Sequence, residues 1–144
     1  MEGLNEIKSL ENMQVSFLRL AGNSLIIYLN CQPGEKDSGA SVWLEPTWHF
    51  RNAKEVITGS RQAQTEDTME HEAISHKLGS MALKRIRCVT IESGSNDITI
   101  ELDDGLSIKT FVSDPTDEES WNVKYHERKI KIIGNPMKIT KHSY

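Results

Sequence analysis

The sequence predicts an α+β fold: a β-rich single domain with one main helix, its strands forming two sheets or a split barrel, with signs of an internally duplicated β unit. Three observations carry this. Ile98, Ile100 and Leu102 alternate with polar neighbours, Asp103-Asp104-Gly105 turns the chain, and Leu106 and Ile108 resume the alternation. Period-two alternation across a Gly-bearing polar turn is the signature of a β-hairpin. Ile74, Leu78 and Met81 recur instead at helical spacing, behind an Asp67/Glu70 pair that resembles a capping box. Finally, Asn23, Leu25, Ile27 and Leu29 stand 73 residues before Asn96, Ile98, Ile100 and Leu102, and Trp48 stands 73 before Trp121. A fixed offset shared by a rare residue points to repetition, although any two amphipathic strand sets match to some degree. At the same offset Met13 falls on Ile86, Val15 on Cys88 and Leu18 on Ile91, giving pseudo-repeats over residues 4–59 and 77–134 joined by a loop and helix over 60–78.

The elements follow in order. Leu4, Ile7 and Leu10 suit a short helix. From Met13 to Leu20 the alternation slips once, as a bulge would make it. Ala21-Gly22-Asn23-Ser24 turns into a strand ending at Leu29, and the Pro/Gly-bearing stretch 32–40 reads as a loop. Short strands are expected at 42–44, 48–50 and 55–57, a polar loop at 60–68, and the main helix from Thr68 to Leu78 with Gly79 ending it. Strands at 84–91, 98–102, 106–108, 121–125 and 129–133 follow, which makes ten candidate segments for an architecture expected to hold about eight strands, with Cys88 read as a small buried apolar residue.

At 144 residues the chain is long enough to bury a proper core without staples, and two cysteines are too few for a disulfide framework. No apolar run spans a bilayer, and the acidic start lacks the basic region of a signal peptide, so the expected compartment is the cytoplasm. The net charge of −4 is uneven: residues 1–72 carry −5 and residues 73–144 carry +1. An acidic protein does not attract phosphate backbones at long range, so nucleic acid and membrane are not expected partners. Nor is catalytic machinery legible. His71 and His76 are five apart, which splays them around a helix, whereas the zinc-protease helix needs four; Glu72 and His76 read better as a stabilising pair. Asp103 and Asp104 read as turn residues, no phosphate-binding glycine loop or nucleophile elbow occurs, and neither enzyme activity, metal nor cofactor is expected.

Candidate contact residues are therefore the acidic clusters and one tryptophan. Asp114, Asp117, Glu118 and Glu119 form one patch; Glu66, Asp67, Glu70 and Glu72 form another. Such clusters steer toward basic partner proteins, while the plainer reading is solvated loops and a helix start. Trp43 has no mate at the repeat offset and is the tryptophan best placed for a surface, with a core position as the simpler reading.

The run Ile98-Thr99-Ile100-Glu101-Leu102-Asp103-Asp104-Gly105-Leu106, then Asp114-Pro115 and Glu119-Ser120-Trp121, resembles a group of small β-rich bacterial proteins. In that group a strand runs to an Asp-Gly turn, and an acidic loop closes on Glu-x-Trp. Leu78-Gly79 ahead of Ile86 and Val89 is similar to the group's junction before its second strand set. The similarity covers residues 74–136, with an echo over 13–59; the group's Gly-rich tail is reduced to Gly134-Asn135-Pro136. These are immunity proteins, encoded beside the toxin domains of contact-dependent bacterial competition systems. The resemblance implies a cytoplasmic protein that binds a cognate toxin and occludes its active site. A nuclease toxin would suit the acidic balance. The alternatives are a general protein-interaction module or homo-oligomer outside toxin systems and, with less support, a nucleic-acid binder using Lys124, Arg128, Lys129, Lys131 and Lys138.

Overall fold

In the computed structural model, which describes residues 3–32, 35, 38–112, 119–134 and 137–141, the chain forms two antiparallel sheets and one main helix. The order is α1 (Leu4–Lys8), β1 (Val15–Ala21), β2 (Ser24–Leu29), β3 (Ala40–Leu44), β4 (Trp48–Arg51), β5 (Val56–Gly59), α2 (Ser60–Ala63) and α3 (Thr68–Leu78). Then come β6 (Ile86–Ile91), β7 (Ile98–Leu102), β8 (Ser107–Thr110), β9 (Trp121–Tyr125), β10 (Ile130–Ile133) and β11 (Lys138–Lys141). The first sheet runs β1-β2-β3-β9-β10-β11 and the second β6-β7-β8-β4-β5. Each sheet thus takes a three-strand meander from one half of the chain and completes it with strands from the other half, β9-β10-β11 in the first sheet and β4-β5 in the second. Their inner faces meet in one hydrophobic cluster containing Leu25, Leu44, Trp48, Phe50, Ile100, Ile108, Trp121 and Val123.

The two halves repeat the same contacts. Trp48 Nε1 donates to Asn23 O at 2.9 Å, and Trp121 Nε1 to Asn96 O at 2.7 Å, 25 residues apart in both cases. Each indole is fully buried, and the backbone carbonyl satisfies its one donor. Asn30 N–H donates to Gln14 O at 3.0 Å, as Asp103 N–H does to Arg85 O at 3.1 Å. In return Gln14 N–H reaches Asn30 Oδ1 and Arg85 N–H reaches Asp103 Oδ2. Gln14 also pairs with Arg85 in an isolated bridge, so each residue faces its own counterpart and a local two-fold axis passes between them.

Several expectations are corrected. The described residues contain eleven strands, with β11 added at the end. The 73-residue offset holds for β2 on β7 and β4 on β9, but β1 maps onto β6 at 71. Both strands bulge at the same place, between Val15 and Phe17 and between Ile86 and Cys88, so Val15 matches Ile86 rather than Cys88. The β6–β7 turn is the longer one and restores the count. Cys88 therefore matches Phe17, lies half-buried on the outer face and is no core residue. The polar stretch after β5 holds a helical turn, α2, anchored by buried Ser60 and Ala63. Helix α3 does end at Leu78 with Gly79 as its C-cap, although Gly79 has a φ of −59° and leads into a 3-10 turn over Gly79–Met81, and Leu83 takes the positive φ of 68°. Leu83 matches Asn12, with φ 76°, ahead of β1. Glu72 and His76 form no ion pair; His71 Nε2 instead lies 2.9 Å from Gly22 O.

A candidate protein-binding face

In an antiparallel sandwich the outer faces meet solvent, and alternation leaves them polar. The second sheet obeys this rule. Its outer rungs read Thr90, Thr99, Lys109, His49 and Cys88, Glu101, Ser107, Arg51. The matching rungs of the first sheet read Arg19, Ile26, Trp43, Asn122, Ile133 and Phe17, Tyr28, Ser41, Lys124, Lys131. Thus Ile26, Tyr28 and Trp43 stand where the other sheet has Thr99, Glu101 and Lys109. Ile26 and Tyr28 are 2% and 8% exposed but lie outside the central cluster, forming a second apolar layer on the far side of their sheet. Phe17 stacks on Tyr28 with ring centroids 4.4 Å apart, and Phe17, Trp43 and Ile133 are half-buried.

Trp43 is held in place by polar neighbours. Its Nε1 donates to Glu45 Oε1, whose Oε2 accepts the Ser24 hydroxyl at 2.8 Å. On the next strand Asn122 stands directly opposite Trp43. Asn122 Nδ2 donates to Glu119 Oε1, which also pairs with Lys131 Nζ at 3.0 Å. Asn122 Oδ1 is buried and accepts no hydrogen bond among the described residues. A buried amide oxygen without a donor is costly, about 1–3 kcal/mol.

Of the residues singled out from sequence, Trp43 and Glu119 come together on this face. Asp114, Asp117 and Glu118 lie outside the described residues. The other patch is exposed at the start of α3 and is partly structural. Asp67 Oδ1 accepts the Met69 and Glu70 N–H groups, while Glu70 takes the Thr65 hydroxyl, which itself accepts Asp67 N–H. Glu66 and Glu72 make no such contact among the described residues. The patch and Trp43 are linked through one turn: His71 touches Gly22, and Glu45 holds Ser24. Sequence reasoning missed Phe17, Ile26, Tyr28 and Glu45. Continuous burial along β2 hides the outward pair among core residues, and only strand pairing reveals them.

No group of three or more metal-ligating side chains occurs among the described residues, and no helix there is long and apolar enough to cross a membrane. No protein-family model matches the chain, and neither does any curated protein or solved structure.

Proposed function

We propose that this protein is an immunity protein: a cytoplasmic inhibitor that binds a cognate bacterial toxin through the outer face of its first sheet and covers the toxin's active site. The carrying observation is the difference between two matched faces. Where the second sheet is polar, the first carries Phe17, Ile26, Tyr28, Trp43 and Ile133. Aromatic anchors ringed by polar groups are the anatomy of a protein interface. Glu45 and Glu119 border Trp43, and the exposed carboxylates opening α3 adjoin the same end of the sheet. A basic substrate groove, as nucleases have, complements that arrangement by charge and by shape.

The test is co-expression with the toxin domain encoded beside this gene, scoring growth and co-purification. The wild-type chain is expected to rescue growth and form a stoichiometric complex. Trp43→Ala should weaken the complex roughly 30-fold or more, in line with about 2 kcal/mol for an aromatic anchor. Glu45→Lys with Glu119→Lys should slow association and flatten its salt dependence. Full protection by all these variants would remove this face from the reading. A neighbour that is harmless, or toxic yet unbound, would sink immunity itself. The interaction-module reading would then take its place, with mass rising with concentration as its mark.

A further inference from the structure

The outer face of the second sheet is hollow where the first is filled. Thr99 and Ser107 form a floor of small hydroxyl side chains, and the concavity above them measures about 710 Å³, within the range of small-molecule clefts. Its walls are charged and asymmetric. Arg51 on β4 and Lys109 on β8 are the cations of adjoining strands. The Arg51 Nε–H donates to Asn52 O, and no carboxylate among the described residues lies within ion-pair distance of its guanidinium. Among the described residues Lys109 has only Glu92 as an ion-pair partner, at 3.9 Å, and Arg87 is turned to Asp103 at 3.1 Å. At the rim Phe111 presents a partly exposed ring, held edge-on by His49 with centroids 4.7 Å apart and lying 5.2 Å from Lys109 Nζ.

We propose that this hollow binds a small phosphate monoester bearing a flat ring, a ligand of mononucleotide size. The phosphate sits between Arg51 and Lys109, and the ring lies against Phe111. A guanidinium fork and an ammonium suit phosphate oxygens, and a cation over an aromatic face keeps that shelf attractive to a π-system. Glu101, across the floor, opposes a run of phosphates and so favours a compact monoanion or dianion over a nucleic-acid strand. The charge environment agrees. Partial burial, then Arg51, then Lys109, holds His49 below the ordinary imidazole value. The other charged groups lining the hollow are Arg87 and Glu101.

Titrating the full chain with adenosine 5′-monophosphate and with inorganic phosphate at low salt, followed by NMR of backbone amides and the His49 ring, tests this. The nucleotide should shift β4 and β8 amides with a Kd on the order of 1 mM or tighter, and should raise the His49 pKa as it neutralises the neighbouring cations. Arg51→Ala and Lys109→Ala should each weaken it roughly tenfold while amide dispersion stays native. Phe111→Ala should weaken the nucleotide but not phosphate. No perturbation of β4 and β8, unchanged affinity in Arg51→Ala, or equal affinity for nucleotide and bare phosphate would each overturn the proposal. Toxin binding plays no part in the experiment, so its outcome is independent of the first sheet's role.

Discussion

Gly134 sits where no side chain fits. A Cβ there would stand 2.3 Å from Trp121 Cε2 and Nε1, and Gly134 N–H donates to Trp121 O at 3.0 Å. Trp121 is clamped by core on every side and cannot give way. Gly134→Ala should therefore cost about 1–3 kcal/mol by overpacking, read as a fall in the urea midpoint at unchanged slope. Gly79 is the opposite case. It is helical, and nothing lies within 4 Å of a Cβ built there. Gly79→Ala should stabilise by about 0.5–1 kcal/mol and raise Tm by roughly 2–4 °C. A loss of stability would mean that the 3-10 turn depends on glycine. Sequence treats these two glycines alike, each closing an apolar run, because the distinction rests on what packs beside them. The tryptophans were easier: one offset for two rare residues marked Trp48 and Trp121 as matched core positions, whereas Trp43 was marked only by lacking a mate.

Among elements, β6 shows how an edge strand is protected. Edge strands offer unpaired backbone groups to other chains. Here Lys8 Nζ donates to Val89 O and Glu11 Oε2 accepts Val89 N–H at 2.9 Å, and the two side chains pair at 3.4 Å. The clamp comes from α1 and the turn after it. The Val89 N–H, helped by Lys8, holds the Glu11 carboxyl below its usual range. With the folded-state pKa depressed, this contribution is present above the unfolded value of about 4.3 and is lost as pH falls through the lower folded value. The stability gap between wild type and Glu11→Gln should thus be larger at pH 7 than near pH 3. An equal gap at both would show that the carboxylate's charge is immaterial. Helix α3 and the β7–β8 hairpin were legible, since periodicity and capping are local properties. Helical turn α2 was not: its polar sequence says loop, and it is shaped by the burial of Ser60 and Ala63 beneath neighbouring elements.

At the scale of the whole molecule the governing feature is exchange between halves: β3 pairs with β9, and β8 with β4. Neither half closes a sheet alone. Cutting between α2 and α3, into residues 1–66 and 67–144, should give two fragments without cooperative unfolding. Mixed, they should recover the native spectrum as a 1:1 complex whose stability rises with concentration. A monomeric half that folds by itself would contradict the shared core. Repetition was readable in the sequence, but the exchange was not, because alternation marks a strand's faces and never its neighbours. The candidate binding face was invisible for the same reason, its members being scattered over β1, β2, β3 and β10. The exchange also orders events at the ribosome. The meander β1-β2-β3 emerges first and waits with the flank of β3 bare until Trp121–Tyr125 has been synthesised, while β4 waits for β8. Until β8 and β9 have been made, both sheets of the nascent chain stay unfinished.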